Sequence, residues 1–91
     1  MKFRFDHDLE VGTRCIIESA PDEPFAYGSA FLHPGDTFNR AIGRKVAAGR
    51  AIRNYIPRRG RRDHEGRAKR YEAWLELFKQ CPKTPGAINF L

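Results

Sequence analysis

The stretch from Pro34 to Ile56, PGDTFNRAIGRKVAAGRAIRNYI, constrains this chain more than any other. It opens on a Pro-Gly-Asp turn signal and closes before Pro57, which has no N–H to continue a helix. Between them lies the clearest helical pattern in the sequence. At about 100° per residue, Phe38, Ile42, Gly49, Ile52 and Ile56 fall on one side, with Val46 at its edge. That side is expected to be buried. Gly43, Ala47 and Ala51 form a bare strip between Arg40, Arg44 and Arg50, with Arg53 on a boundary. This strip is expected to face outward, where a phosphate backbone or another helix can come close. Two internal glycines cost roughly 1 kcal/mol each relative to alanine, so some contact should offset them. Lys45 falls within the apolar arc, as a snorkelling side chain or as a sign that the phase is off by a residue.

The charge of the chain is sorted along its length. Residues 40–70 hold twelve of the seventeen basic side chains and only two acids, Asp63 and Glu65, for a net +10; the remainder is −4. A solvated surface of mixed charge has no reason to divide this way. A polyanion-facing side has one, and so has a docking side for an acidic protein. At 91 residues the chain makes one domain, burying about 60–65% of its unfolded surface. A composition 41% hydrophobic and 12% aromatic is that of a globular chain. No apolar run approaches the roughly 20 residues that cross a bilayer, so no membrane partner is expected. The acids in MKFRFDHDLE stand where a signal peptide needs an apolar run, which points to a cytoplasmic protein. Cys15 and Cys81 then read as reduced thiols rather than a disulfide, and no zinc spacing accompanies them.

Strands are expected at about 2–6, 13–19 and 25–33, where apolar and polar residues alternate or β-branched residues concentrate. On the third, Phe25, Tyr27, Ser29, Phe31 and His33 share one face and Ala26, Gly28, Ala30 and Leu32 the other. The small face is expected to receive a helix closely, leaving the aromatic face partly exposed or packed under a loop. The sharper alternative makes Tyr27 and Phe31 a stacking platform for bases. Asp6, His7 and Asp8 are a conceivable ion site, but clustered acids near a terminus are usually solvated, and no metal is expected.

Helices are expected at about 38–55 and 64–80. Asp36 or Asn39 caps the first and Asp63 the second. Ala68, Tyr71, Leu75 and Phe78, with Trp74 beside them, give the second helix an aromatic stripe to bury. The loop at 57–62, Pro-Arg-Arg-Gly-Arg-Arg, is the most charged in the chain, and each phosphate such a loop neutralises releases counterion. A helix-turn-helix is disfavoured, because a turn at Gly49 puts Lys45 where a small residue belongs. The fold that follows is α+β, a small antiparallel sheet of about three strands with two helices on one face.

The run from Tyr27 to Arg53 resembles a loose group of small proteins of bacteriophages and mobile elements. In that group a strand, a His-Pro-x-Asp-x-Phe turn and a G-x-K-x-A-x-x-R-A helix recur. The matching positions are His33, Pro34, Asp36, Phe38, Gly43, Lys45, Ala47, Arg50 and Ala51, under a third of the chain. The group has no settled activity, so the resemblance implies an origin more than a mechanism. Small phage proteins often bind nucleic acid or inhibit host machinery such as CRISPR effectors, nucleases or RNA polymerase.

The leading expectation is a non-enzymatic protein, needing no cofactor, that binds DNA or RNA through a face formed by residues 40–70. Its contacts would be Arg40, Arg44, Arg50, Arg53, Arg58, Arg59, Arg61, Arg62, Arg67 and Arg70, with Gly43, Ala47 and Ala51 permitting close approach. The alternative is a phage-type inhibitor docking the same basic face on a host protein that handles nucleic acid. A metal-dependent nuclease comes third, because Asp6, His7, Asp8 and His64 show no convergent spacing.

Overall fold

The computed structural model describes residues 1–18, 26–32, 35 and 39–82. Three strands, β1 (Lys2–Asp8), β2 (Gly12–Glu18) and β3 (Ala26–Phe31), form an antiparallel sheet in the order β1-β2-β3. Two helices follow, α1 (Arg40–Tyr55) and α2 (His64–Gln80). The α+β architecture read from the sequence is the one observed.

Strand alternation divides the sheet into two chemically distinct faces. On the helix side, Phe3, Phe5 and His7 of β1 stand opposite Ile17, Cys15 and Thr13 of β2, which stand opposite Ala26, Gly28 and Ala30 of β3. On the other side lie Arg4, Ile16 and Tyr27, then Asp6, Arg14 and Ser29. The core gathers Phe3, Cys15, Ile17, Ala26, Ala47, Ala48, Ala51, Ile52, Ala73, Trp74 and Leu77. Both helices therefore cover the same face. Ile17, Ile52 and Leu77 are almost wholly enclosed, each burial stabilising the fold by about 1.5–3 kcal/mol.

The seam between α1 and β3 is unusually close, and it turns the buried face of the helix: Gly49 and Ile52 are buried as expected, but the strip expected to face outward is buried with them. Ala47 and Ala51 are 0% exposed, and Ile42, assigned to the buried side, is 55% exposed. A Cβ added to Gly28 would lie 2.1 Å from the backbone nitrogen of Ala51 and 2.3 Å from the carbonyl oxygen of Ala47. A Cβ on Gly43 would lie 2.3 Å from the Thr13 hydroxyl. The small strip does permit close approach, but to the sheet and not to a partner. Small faces small here: the Ala26-Gly28-Ala30 face of β3 lets the helix backbone settle where larger side chains would hold it off. That close packing offsets the cost of glycine within the helix. Lys45 still lies on the side of buried Gly49 and Ile52, one and two turns away, and it is half-buried.

The stripe expected of α2 is also shifted. Tyr71 and Leu75 are 47% and 42% exposed, and Ala68 is exposed. Gly66, Arg70, Ala73, Trp74 and Leu77 are buried instead, and Phe78 packs against the core from its edge. The face turns because Arg70 finds its acceptors on the inner side, at Asp63 and the Ile56 carbonyl.

Each outer strand has part of its edge closed by a helix side chain, which limits strand addition there. Asn54 Nδ2 donates to the Tyr27 carbonyl at 2.6 Å, and Arg50 donates to the carbonyl of Ser29. On β1, the Phe3 N–H donates to Gln80 Oε1 at 2.9 Å while Gln80 Nε2 donates to the Met1 carbonyl at 2.7 Å. Both cysteines are free thiols. Cys15 is fully buried, and burial, reinforced by neighbouring Cys81, pushes its thiol up to about 12.

Candidate nucleic-acid interface

The loop after α1 owes its shape to its own side chains. Arg58 folds back, Nε donating to the Gly60 carbonyl at 3.0 Å and Nη2 to the Arg61 carbonyl at 3.3 Å. Gly60 sits at φ 86°, a left-handed conformation that a side chain resists. Arg59, Arg61 and Arg62 are exposed, and among the described residues their side chains form no hydrogen bond or ion pair.

Asp63 closes the loop and starts α2. Oδ1 accepts the Gly66 N–H at 2.9 Å, the N-cap bond expected from the sequence. Oδ2 accepts the Arg59 N–H at 3.0 Å and faces Arg70 Nη1 at 3.5 Å. The Arg59 and Gly66 amides, with Arg70 behind them, hold the carboxyl below the usual aspartate range against a small opposing effect of burial. Arg70, only 2% exposed, also donates to the Ile56 carbonyl at 3.3 Å. It fastens α2 to the end of α1. Arg70 is therefore a structural residue and not a binding one. Burying a guanidinium is tolerated because acceptors wait for it.

The ten arginines do not share one surface. Arg50 caps the edge of β3, Arg58 shapes the loop and Arg70 is internal. Arg40 and Arg44 lie at the start of α1, a helix of 16 residues and so about 24 Å long. The loop lies beyond its other end. Arg59, Arg61 and Arg62, with exposed Arg67 in the first turns of α2, form one cluster. Arg53 is exposed on the last turn of α1. A concentration of basic residues in sequence has become a concentration around one loop, with outliers.

Of the two acids of the 40–70 segment, Asp63 is held in the loop and Glu65 lies in an exposed pair on the surface of α2. Asp63 serves its cap, the Arg59 amide and Arg70, while Glu65 pairs with Lys69 at 3.2 Å. Neither neutralises the loop guanidiniums. A groove of about 1010 Å³ runs beside the loop between the end of α1 and α2. Its walls mix Asp63, Glu65, Glu72 and Glu76 with Arg59, Lys69 and Lys79, a balance unsuited to a polyanion.

On the open sheet face, Tyr27 is 44% and Phe31 66% exposed, as the alternation of β3 predicts. Phe25 and His33 lie outside the described residues, as do Pro34, Asp36 and Phe38. Arg14 stacks over the Tyr27 ring, its guanidinium carbon 4.6 Å from the centroid, and Arg4 pairs with Glu18 at 2.8 Å. The ring face expected to receive a base is thus covered on one side by Arg14.

Asp6 and Asp8 point to this open side, whereas His7 points to the helices. Asp8 Oδ1 accepts the amides of Glu10 and Val11 at 2.8 and 3.1 Å, building the β1–β2 turn. Among the described residues no group of three His, Cys, Asp or Glu side chains could hold a metal ion. No helix among them is long and apolar enough to cross a membrane.

No protein family, curated protein or solved structure matches the chain. The resemblance to phage and mobile-element proteins rests on its motif residues alone.

Sequence reasoning missed the roles of Asn54 and Gln80, whose partners are strand-edge carbonyls and amides far away in sequence. It also missed the company His7 keeps. The signal was present in the alternation of β1, which sends His7 to the side opposite Asp6 and Asp8.

Proposed function

We propose that this protein is a non-enzymatic nucleic-acid-binding protein that grips the phosphate backbone through the loop at 57–62. Arg59, Arg61 and Arg62 supply the contacts, with Arg67 extending them. One observation carries the reading: Arg59, Arg61 and Arg62 are exposed on a loop of defined shape, and among the described residues their side chains have no ion pair. Uncompensated arginines on an ordered loop repel one another, and a phosphate backbone relieves that repulsion while releasing its condensed counterions. Arginine also forks bidentately onto phosphate, which suits a loop with several guanidiniums close together. The contacts are to backbone and carry no sequence readout.

Titration of labelled single-stranded DNA, duplex DNA and RNA at 50 and 200 mM salt tests this; three to four phosphate contacts lower the affinity by roughly fortyfold to 150-fold over that range. Absence of binding to all three at the lower salt rules the proposal out. A pull-down with and without nuclease separates it from docking on an acidic protein. Loss of partners with nuclease agrees with the proposal. One stoichiometric protein surviving nuclease contradicts it.

A further inference from the structure

The second helix carries two apolar stripes, and the fold uses one of them. Gly66, Ala73, Trp74 and Leu77 are buried, with Arg70 among them. Ala68, Tyr71 and Leu75 are exposed, and half-buried Phe78 continues their line. At about 100° per residue this second stripe lies well round the helix from the first. One stripe is enough to hold a helix on a sheet. A second one, with large apolar side chains in open view, marks an interaction surface.

The spacing of the exposed stripe is symmetric. Ala68, Tyr71, Leu75 and Phe78 follow one another at intervals of 3, 4 and 3 residues, so the pattern is the same in both directions about the level of Ala73. Two copies of α2 laid side by side and antiparallel about a two-fold axis at that level set Tyr71 of each opposite Leu75 of the other. Ala68 then stands opposite Phe78, where its small side chain leaves room for the ring. The charges beside the stripe agree with this pairing. Glu72 and Lys79 lie on the same flank, a heptad apart. Helix side chains lean towards their own N-terminus. In the antiparallel pair, Glu72 of each copy therefore leans towards Lys79 of the other, while the two Glu72 side chains near the axis lean apart. Among the described residues Glu72 has no ion pair, and Lys79 has an exposed one with Glu76 at 3.6 Å.

We propose that the protein self-associates through this face of α2, two copies packing their helices antiparallel about a two-fold axis at the level of Ala73. The proposal does not rest on the nucleic-acid reading. The basic loop ends before His64, about nine residues or roughly 14 Å of helix from the axis, so the two loops sit at opposite ends of the interface and stay open. Four apolar residues over about three turns bury less than the roughly 800 Å² per partner of a stable complex. The dimer is therefore a reversible one, half formed at a protein concentration on the order of 100 µM.

Sedimentation equilibrium of the full chain after nuclease treatment, from about 10 µM to about 1 mM, tests this. The average mass should climb from that of one chain, 10.5 kDa, towards that of two. Tyr71→Lys and Leu75→Lys, both at exposed positions, should each weaken association at least about tenfold. Glu72→Lys should weaken it about fivefold at low salt, and Lys79→Glu added to the same chain should restore it. This exchange keeps the test decisive if either of the other lysine variants fails to fold. Replacing Arg59, Arg61 and Arg62 with glutamine should leave association unchanged. A monomer throughout the range, or association that survives both Tyr71→Lys and Leu75→Lys, overturns the proposal. So does a loss in Glu72→Lys that Lys79→Glu does not repair, or a loss in the loop variant.

Discussion

Arg61 and Arg70 belong to the same basic segment and reach opposite ends. Arg70 is 2% exposed and bound to Asp63 and the Ile56 carbonyl, whereas Arg61 stands exposed with no ion pair among the described residues. What separates them is the supply of acceptors and not the side chain. Asp63 offers two oxygens, and the Gly66 amide, the Arg59 amide and Arg70 occupy them. The arginines it does not serve remain available to an external anion. The same division holds for small residues: Ala47 and Ala51 meet Gly28 and become the helix–sheet seam. Position in the fold decides whether a residue holds the molecule together or faces a partner.

The contrast is challenged most forcefully at the seam. Gly28→Ala places a methyl group against backbone atoms of α1, which cannot rotate away, and should destabilise the protein by about 3 kcal/mol or more in a urea unfolding curve. Gly43→Ala is a milder form of the same insult. Its new methyl group meets the Thr13 side chain, and the gain in helix propensity of about 1 kcal/mol offsets much of the clash. A net loss near 1 kcal/mol is expected there, that is, about a third of the Gly28→Ala effect. If the two substitutions cost the same, the seam is not closest at β3.

Acid separates the groups that hold the fold from those that face outward. His7 titrates below its ordinary value of 6.5, so its contribution to stability is present above that pH and is lost as the pH falls from there. Asp63 titrates below 3.8, so its contribution is present above that value and is lost at lower pH. Two successive declines should appear in thermal unfolding followed from pH 7 to pH 2, and His7→Gln should remove the first alone. The smallest effect on stability is expected in the loop. Replacing Arg59, Arg61 and Arg62 together with glutamine should change unfolding by no more than about 0.5 kcal/mol, because among the described residues their side chains form no hydrogen bond or ion pair.

Much of the fold is legible in the sequence. Alternation along β3 separates Tyr27 and Phe31 from Ala26, Gly28 and Ala30, and that separation is observed. Asp63 is recognisable as a cap from its place before His64-Glu65. The full extent of the buried face of α1 is not legible, because hydropathy treats glycine and alanine as a gap in the apolar pattern. Their value here is closeness, and it depends on Gly28, a residue on another element. Arg70 misleads in the same way. A charged side chain marks an outer face unless its acceptors are known, and those acceptors are the N-cap aspartate two turns earlier and the carbonyl of Ile56, the C-cap of the preceding helix. Cation clusters are legible as composition, but division of the arginines between loop, core and strand edge needs the fold.

If acceptor supply sorts the arginines, those left unserved by Asp63 and Glu65 are the ones that meet nucleic acid. The salt dependence of binding to one duplex DNA, compared between the native chain and the triple variant Arg59→Gln, Arg61→Gln, Arg62→Gln, decides it. The slope of log affinity against log salt should become shallower by roughly 2 to 3, about 0.9 for each phosphate no longer neutralised, with thermal unfolding unchanged. An unchanged slope in a variant that still binds DNA and folds normally would contradict this division of roles.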